Sequence, residues 1–506
     1  MISSIQYSTK NLFGILLSLT FALFCFIIFK FIIKPLASLS FYQKQNLSCH
    51  FYPVLGTFKR SLIDQHSHFD ALHAYKKDMG LKQNPLEVAN YGEHVIVSLF
   101  DPKLIREFYA KQQNYQKLAF SSTVSRLCGT GLLFAENSLW KHHRKILSNI
   151  FHFEFFRQNI PFMVDTTREA LVNLMIKPLQ DVNLIAEMQN ITAQLLGSIF
   201  FGAKILQGSD NEKSLILQLS GLVQNIQTIS SKPSQFLARR TGIDPKWSSS
   251  FKQIIREARE LKTACLKLIR DRRNSQSLSE TSDLLGSLLQ QKPQTYDQPF
   301  SDEDIYNEFI SFFLAGMSTT GYMIAMTIYL LYRNSPFMKK IEEEITQVYN
   351  RGMYVTIEGL NQMDQMHAAF KETLRMFPST PFIFPRVAQN THKLSNIQIK
   401  KGTLVRPAPI VNHTNEKYFS DPFVYMPDRW LSKKEKEIDP FVYIPFSAGS
   451  RNCIAQHFAI LKAKIILSEF FKLYRIQINP QKFKLIMSFN FLYQPQTEII
   501  ANLFVK

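Results

Sequence analysis

The longest apolar run of the chain lies close to its N-terminus. Residues Leu12 to Phe29 carry no charged side chain, and the run resumes after Lys30 and continues to Ile33. As a helix rising about 1.5 Å per residue, a run of this length crosses the hydrocarbon core of a bilayer. The pattern therefore predicts a transmembrane helix at residues 12–33, preceded by a short luminal segment at 1–11 and followed by a polar linker at 34–49.

A cleaved signal peptide is the alternative interpretation of the same run. The small and polar residues Ala-Ser-Leu-Ser at positions 37–40 could form a cleavage site. The apolar stretch is nevertheless long for a signal peptide, and the segment before it carries only Lys10. Lys30 and Lys34 come after the apolar residues, and the positive-inside rule then orients the rest of the chain toward the cytosol. We therefore favour a single-pass anchor.

Beyond residue 50 the apolar positions follow mainly a helical period, with short stretches of strand pattern. Ser301-Asp302-Glu303-Asp304 is similar to a capping box and predicts the start of a long helix that runs to about Asn334. The β-rich piece Val95–Leu99 and the alternating C-terminus, Phe483–Val505, predict strands. We expect one large, mainly α-helical domain with small β-sheets at residues 50–506.

The composition limits the environment and the partners. The chain has 506 residues, of which 45% are hydrophobic, so it can bury a large core. A net charge of +19 favours acidic partners, but the absence of zinc-finger, RNP-like and Lys/Arg-run patterns argues against nucleic acid. The five cysteines are scattered without a CxxC motif, which indicates a reducing compartment and argues against a disulfide framework or a zinc site.

The stretch with the most chemical content surrounds Cys453. This cysteine lies between a turn at Gly449 and an apolar helical pattern that starts near Ala455. A thiol just before a helix start meets unpaired N–H groups and the positive end of the helix dipole, and Arg451 adds a cation, so the setting favours the thiolate. Such a thiolate can be a nucleophile, a redox sensor or a metal ligand, and on haem iron it favours O–O bond cleavage.

The pattern Phe446-x-x-Gly449-x-Arg451-x-Cys453-x-Ala455 resembles the haem-binding signature of the cytochrome P450 monooxygenases, although the family's last position is usually Gly. The resemblance implies haem b, iron protoporphyrin IX, with Cys453 as the axial ligand of the iron. It also implies that Phe446, Gly449 and Arg451 help to bind this cofactor. The expected fold is the cytochrome P450 fold, a single large haem domain that is mainly α with small β-sheets.

A second motif lies in the long predicted helix. Ala315-Gly316-Met317-Ser318-Thr319-Thr320 resembles the family's Ala/Gly-Gly-x-Asp/Glu-Thr-Thr segment, which lies over the haem. Gly316 removes a side chain and the Thr319 hydroxyl can bond back to the carbonyl of Ala315, so we expect space for dioxygen and a hydroxyl that relays protons. The acidic position is Ser318, and a serine is no proton source at neutral pH.

Three further side chains, one indole and two guanidinium groups, are candidates for binding the carboxylates of haem. Trp140 and Arg144 are four residues apart, so on a helix they share one face, and an indole N–H with a guanidinium can bind a carboxylate. The pair matches the family's Trp-x-x-x-Arg motif, and Arg386 matches a position that reaches a haem propionate in many relatives. The resemblance therefore implies that all three residues bind propionates.

A charged cluster is the last motif. Glu372 and Arg375 are three apart on a predicted helix and can pair, and the Pro-Asp-Arg-Trp segment that contains Arg429 follows downstream. These elements match the family's Glu-x-x-Arg and Pro-x-Arg motifs. The resemblance implies a structural network of Glu372, Arg375 and Arg429 that supports the haem side.

The resemblance also implies an activity. A monooxygenase of this family inserts one atom of O2 into a lipophilic substrate with electrons from NADPH, delivered by a membrane-bound flavoprotein reductase, at the endoplasmic reticulum membrane. We expect a largely apolar pocket, and basic side chains on the cysteine side that bind the acidic reductase. The pocket candidates are Phe312, Phe313, Thr380, Pro381, Phe382, Ile383 and Phe384. The docking candidates are Lys141, Lys145, Lys462 and Lys464.

Two other classes of function stay open. A haem-thiolate isomerase or dehydratase that acts on a lipid peroxide needs no reductase, and Ser318 permits it while Thr319 argues against it. A non-enzymatic haem-binding or lipid-binding membrane protein of the same fold is the other alternative. Turnover with NADPH and reductase, turnover from a hydroperoxide alone, and no turnover at all would distinguish the three.

Overall fold

The structure is a computed structural model. It describes residues 2–53, 85–118, 128–202, 210–230, 249–275, 283–290, 299–350, 355–432, 437–479, 483, 485–489, 492–495 and 497–506.

The described residues are mostly helical. In chain order the α-helices are α1 Ile2–Ile28, α2 Lys34–Gln43, α3 Pro102–Ala110, α4 Asn137–Ile150, α5 Phe153–Leu174, α6 Leu184–Phe201, α7 Asp210–Ser230, α8 Ser249–Asn274, α9 Leu284–Leu289, α10 Asp302–Arg333, α11 Ser335–Asn350, α12 Ile357–Asn361, α13 Asp364–Met376, α14 Pro409–His413 and α15 Gln456–Leu473. A π-helical segment, Phe29–Ile33, joins α1 to α2, and 3-10 turns lie at Gln112–Asn114 and Pro427–Trp430.

The strands are short. They are β1 Cys49–His50, β2 Leu86–Tyr91, β3 His94–Leu99, β4 Tyr115–Lys117, β5 Val182–Asn183, β6 Arg386–Ala388, β7 His392–Leu394, β8 Ile397–Ile399, β9 Leu404–Pro407, β10 Tyr474–Ile478, β11 Met487–Phe489, β12 Tyr493–Pro495 and β13 Ile500–Val505. The expectation of a mainly α protein with small sheets is confirmed.

The chain divides into two compact units. The first comprises the described residues of 1–118 and 382–408, and the second comprises those of 119–381 and 409–506. The boundaries predicted from the sequence, with one domain at 50–506, stay a prediction.

The first unit is built on a six-stranded sheet in the order β1-β2-β3-β9-β6-β4. β2 and β3 form an antiparallel hairpin whose register pairs Tyr91 with His94, and β3 runs parallel to β9. β2 and β3 are buried on both faces over most of their length, which explains their Val, Ile and Leu content. β7 and β8 form a separate two-stranded sheet.

The segment after the apolar run packs onto this unit as helix α2. Leu39 and Tyr42 are buried, and the Tyr42 hydroxyl is 2.6 Å from Oγ1 of Thr403. Lys34 donates to a carboxylate oxygen of Glu93 at 3.2 Å. Within the predicted linker at 34–49, residues 34–43 are therefore helical and bury apolar side chains, while the bounds of the linker stay a prediction.

Helix α10 is the central element of the second unit. Ser301 caps it: its hydroxyl accepts the N–H of Asp304, and the Asp304 carboxylate accepts the N–H of Ser301. Nearly all later side chains of α10 are buried, and the helix packs against α6, α8, α13 and α15. The predicted capping box and the long helix to about Asn334 are confirmed.

Two helical stretches are long and apolar enough to cross a membrane, Gly14–Gln43 and Asp302–Arg333. The second is α10, which is largely buried inside its unit and is therefore a core helix. The most apolar part of the first is almost entirely exposed, as a lipid-facing helix would be, whereas its C-terminal part is the packed helix α2. It is the candidate membrane span, in the region predicted from the sequence.

Candidate active site

The loop before α15 folds back on itself and presents Cys453. The backbone N–H of Cys453 donates to the carbonyl of Phe446 at 3.0 Å, and the N–H of Asn452 donates to the carbonyl of Gly449 at 3.2 Å. Gly449 has a φ of 71°, in the left-handed region that a residue without Cβ adopts at little cost. α15 begins three residues after Cys453. Phe446 and Gly449 thus shape the turn that holds the cysteine.

The thiol of Cys453 faces an internal opening. Its side chain is exposed, yet protein atoms surround it so densely that burial raises the pKa of the thiol. An accessible group that is enclosed on all sides lines a cavity rather than the outer surface.

The balance of forces on this thiol differs from the sequence expectation. A hydrogen bond from the backbone of Ala455 and the charges of Arg144 and Lys462 lower the pKa of Cys453, but burial has the larger effect. Burial thus opposes the thiolate, while the backbone of Ala455 and the nearby cations favour it as the sequence predicts. A metal cation would supply the missing stabilisation of the thiolate.

One face of α10 is open in the middle of an otherwise buried helix. Ala315, Gly316 and Thr319 are partly exposed, whereas Met317 and Ser318 between them are buried. Residues three and four positions apart share a face, so Thr319 shares one with Gly316 and with Ala315. The Thr319 hydroxyl donates to the carbonyl of Ala315 at 2.5 Å, as predicted. These three residues, which we call the open face of α10, line an interior space.

Ser318 does not belong to the open face. Its side chain is fully buried, and its hydroxyl oxygen has no hydrogen-bond partner in the described part of the chain. Because the Ser318 hydroxyl is buried and forms no hydrogen bond within the described residues, it is not connected to a chain of proton-relaying groups there.

Lys462 connects α15 to the open face of α10. Its Nζ donates to the carbonyl of Gly316 at 3.1 Å, and its side chain is only 1% exposed. The helix that follows Cys453 therefore lies next to the open face. The thiol and the Thr319 hydroxyl belong to adjoining elements.

Helix α4 is fastened to the Cys453 loop at two points. Arg144 donates from Nη1 to the carbonyl of Asn452 at 2.9 Å and from Nη2 to Oδ1 of Asn452 at 2.7 Å. The Arg451 guanidinium lies 4.1 Å from the centre of the Trp140 ring and donates to the carbonyl of Ala135. Among the described residues, no carboxylate pairs with Arg144.

Arg386 lies in the first unit, on β6. Its guanidinium is buried beside the rings of Phe108 and Tyr109, at 5.6 and 5.9 Å from the ring centres, and burial lowers its pKa. No carboxylate of the described chain pairs with it. A buried guanidinium without an acid partner fits an anionic ligand. Arg144 in the second unit therefore fits a carboxylate of haem, and the enclosed thiol of Cys453 fits its iron.

The predicted charged cluster is present in the second unit. Glu372 accepts from Nη2 of Arg375 at 2.8 Å and from Nε of Arg429 at 3.0 Å, and its other oxygen accepts from the indole of Trp430 at 2.9 Å. Arg375 also donates to two backbone carbonyls, those of His413 and Pro422. The network fixes the segment after α14 against α13.

The predicted pocket residues divide between the two units. Phe312 stacks on Phe151 with ring centres 4.8 Å apart and lies 5.2 Å from Phe200, whereas Phe313 is fully buried in the core. Thr380 and Pro381 also belong to the second unit, and residues 382–384 belong to the first.

Burial separates the four lysines proposed for docking. Lys141 and Lys145 on α4 are exposed. Lys462 and Lys464 on α15 are buried, at 1% and 7% exposure, and each donates to a backbone carbonyl. The assignment of Lys462 and Lys464 as surface docking charges is therefore wrong.

Sequence reasoning missed two contacts of this region. His143 Nδ1 lies 2.7 Å from Oε1 of the buried Glu308, which also accepts the N–H of Leu132. Nothing in the sequence relates these distant positions. The burial of Lys462 could have been predicted from the sequence. Lys462 is four residues after Phe458 and therefore lies on the apolar face of the helix.

The family model described as Cytochrome P450 matches residues 51–502. The chain is similar to human "Cytochrome P450 4V2", with 24% identity over 88% of this chain and 87% of that protein, and to "Cytokinin hydroxylase" of Arabidopsis thaliana, with 26% identity over 77% of each. It is similar in fold to the crystal structure of the cytochrome P450DA heme domain, with a TM-score of 0.75, 19% identity, and coverage of 91% of this chain and 98% of that one. The family implies a haem-iron cofactor. The chain therefore belongs to the cytochrome P450 family of monooxygenases.

Proposed function

We propose that this enzyme inserts one atom of dioxygen into a lipophilic organic substrate, with electrons from NADPH delivered by a membrane-bound flavoprotein reductase. The observation that carries the proposal is Cys453, whose thiol lines an enclosed space at the base of α15. The adjoining open face of α10 carries a hydroxyl but no charged side chain. A cysteine thiolate that binds haem iron suits dioxygen chemistry. The open face of α10 has no charged side chain that could activate a water molecule for hydrolysis.

Each cofactor-binding residue has a separate task. The Cys453 sulfur binds the iron, and the turn shaped by Phe446 and Gly449 holds that sulfur in place. Arg144 binds a haem carboxylate, because its guanidinium is without a carboxylate partner among the described residues. The Arg451 guanidinium packs against the Trp140 ring, which orients this further cation beside the Cys453 loop.

Haem iron with a thiolate ligand supplies the electron-rich centre at which an O–O bond is cleaved. The open face of α10 leaves room beside it, since Ala315 and Gly316 present only a methyl group and a hydrogen. The Thr319 hydroxyl donates a hydrogen bond to the Ala315 carbonyl, so the hydroxyl oxygen can still accept a hydrogen bond from another group. Thr319 orients the incoming proton, whose source is not Ser318.

The substrate is apolar. The aromatic cluster of Phe151, Phe200 and Phe312 makes the surroundings of the open face of α10 apolar, since Phe312 is three residues before that face. An apolar molecule gains about 25 cal/mol for each Å² that it buries against such a surface. One similar protein is named a hydroxylase, which agrees with oxygen insertion into a C–H bond.

The N-terminal helix anchors the enzyme in the endoplasmic reticulum membrane with the catalytic part in the cytosol. Lys30 and Lys34 lie at the end of the apolar run, and both pair with Glu93 of the first unit at 3.6 and 3.2 Å. The positive-inside rule places such lysines on the cytosolic side. The exposed Lys141 and Lys145 bind the acidic face of the reductase.

One observation favours a second function. Ser318 stands where the family motif has an acidic residue, and its buried hydroxyl has no hydrogen-bond partner in the described part of the chain. A haem-thiolate isomerase or dehydratase that acts on a lipid peroxide needs no such acid. The test compares turnover of a fatty-acid panel by haem-loaded enzyme with NADPH and reductase against turnover of fatty-acid hydroperoxides alone. Oxygenated products that contain label from ¹⁸O₂ and require NADPH support the monooxygenase. Isomerised products that form without NADPH and keep the peroxide's own oxygen overturn it.

A further inference from the structure

Lys462 ties two functional helices together. It lies on α15, nine positions after Cys453, and its Nζ donates to the carbonyl of Gly316 on the open face of α10 at 3.1 Å. The same Nζ lies 5.1 Å from the centre of the Phe458 ring, one turn earlier on α15. The side chain is 1% exposed, so its contacts are with protein rather than with bulk water.

The charge of Lys462 is not balanced by an acid. No carboxylate of the described residues lies within ion-pair distance of its Nζ. The charged group that acts on it is Cys453: burial lowers the pKa of Lys462 to about 7, and the cysteine thiolate opposes that change. Conversely, the charge of Lys462 lowers the pKa of Cys453. The hydrogen bond to Gly316 places this buried lysine between the open face of α10 and the helix that follows Cys453.

Lys464 provides a natural comparison on the same helix. It is also buried, and it also donates to a backbone carbonyl, that of Leu360 at 2.8 Å. The charged groups that act on it are Glu344 and Asp364, not the cysteine. The two lysines share helix, burial and type of hydrogen bond, and they differ in the group that balances their charge.

We propose that Lys462 is a positioning residue that holds a buried positive charge between α15 and the open face of α10 and thereby makes the bound haem iron easier to reduce. The inference rests on the proposed role of Cys453 as the iron ligand. A fixed cation stabilises the state with one electron more, and in a low-dielectric interior its effect is strong. The reduction adds one electron to ferric haem to give ferrous haem, and no bond or proton of Lys462 changes.

The experiment measures the ferric–ferrous midpoint potential of full-length, haem-loaded protein by spectroelectrochemical titration with dithionite and mediators at pH 6, where Lys462 is protonated. Lys462→Met removes the charge and the donor, Lys462→Gln removes the charge but keeps a donor, and Lys462→Arg keeps the charge. We expect the Met and Gln variants to favour the ferric form by about tenfold, which is about 59 mV more negative for a one-electron couple. Lys462→Arg and Lys464→Met should remain near wild type.

The outcomes separate this inference from the proposed function. If the carbon-monoxide spectrum of every variant is red-shifted but Lys462→Met and Lys462→Gln keep the wild-type potential, the electrostatic role of Lys462 is overturned while the thiolate ligand stands. If Lys464→Met shifts the potential as much as Lys462→Met, the effect is structural, which also overturns it. If wild-type protein lacks the red-shifted band, the proposed function fails first.

Discussion

Glu372 is the residue on which the packing of the segment after α14 depends most. It is completely buried, and its two oxygens accept hydrogen bonds from Arg375, Arg429, Trp430 and the backbone N–H of Met426. Without this carboxylate, Nε and Nη2 of Arg375 lose their acceptors, while its Nη1 keeps the carbonyls of His413 and Pro422. A single carboxylate therefore compensates two guanidinium charges.

Replacing Glu372 with Gln should destabilise the protein strongly. The substitution leaves Arg375 and Arg429 as uncompensated buried charges, and breaking a buried ion pair in this way costs about 3–5 kcal/mol. Chemical denaturation of purified protein measures the change in the free energy of unfolding. Glu416→Gln, at an exposed position, is the control and should stay within about 0.5 kcal/mol of wild type. Equal stability of Glu372→Gln and wild type would contradict the account of the cluster.

Ser318 should respond in opposite ways to two substitutions. Its hydroxyl is buried and has no partner in the described part of the chain, so Ser318→Ala removes an unsatisfied polar group and should change stability by less than about 0.5 kcal/mol. Ser318→Asp buries a carboxylate without a partner and should cost about 2 kcal/mol or more. Thermal and chemical denaturation of both variants test this. An Asp variant as stable as wild type would mean that position 318 reaches water.

At the scale of elements, periodicity and caps predicted what local sequence determines. The capping box at Ser301, the helix through Thr319 and the helix around Trp140 all follow from spacing and local hydrogen bonds. The sequence did not predict α2, because its few apolar side chains, such as Tyr42, become meaningful only when the sheet is present. It also misjudged Lys464, since composition suggests a surface lysine and only tertiary packing shows that it is buried.

The candidate site shows the same division. The motif around Cys453 predicted the turn and its position before a helix, because Gly449 and the apolar pattern are local. The pKa of Cys453 and the contact between Arg144 and Asn452 could not be predicted, since both depend on residues from distant parts of the chain. Burial at the thiol is a sum over many neighbours, which no short motif encodes.

The exposed side of α4 should affect electron transfer. Lys141→Glu/Lys145→Glu reverses two charges that are free of the packed core, so reduction by NADPH and the flavoprotein reductase should slow roughly 3- to 10-fold at low ionic strength and less at high salt. Stopped-flow measurement of haem reduction reports the rate. Lys339→Glu/Lys417→Glu, at exposed positions on other elements, is the control. A salt dependence identical to wild type in the α4 variant would refute the docking site.

At the scale of the whole molecule, the N-terminal helix decides where the enzyme works. The exposed apolar surface of Gly14–Gln43 and its ion pairs to the first unit suit a retained anchor rather than a removed signal peptide. An epitope tag placed before Ile2 should remain on mature protein in carbonate-washed membranes, and a C-terminal tag should be accessible to protease from the cytosolic side. Loss of the N-terminal tag would support the signal peptide, and protection of the C-terminal tag would reverse the topology.

The central claim is that Cys453 binds haem iron as a thiolate, and the carbon-monoxide difference spectrum of the dithionite-reduced protein tests it most directly. We predict a strongly red-shifted Soret band in wild-type protein, and we predict that Cys453→Ser binds haem without that band. Cys128→Ser, at a buried cysteine whose thiol is not exposed, is the control and should keep it. A well-folded wild-type protein that binds haem without the red shift would contradict the account.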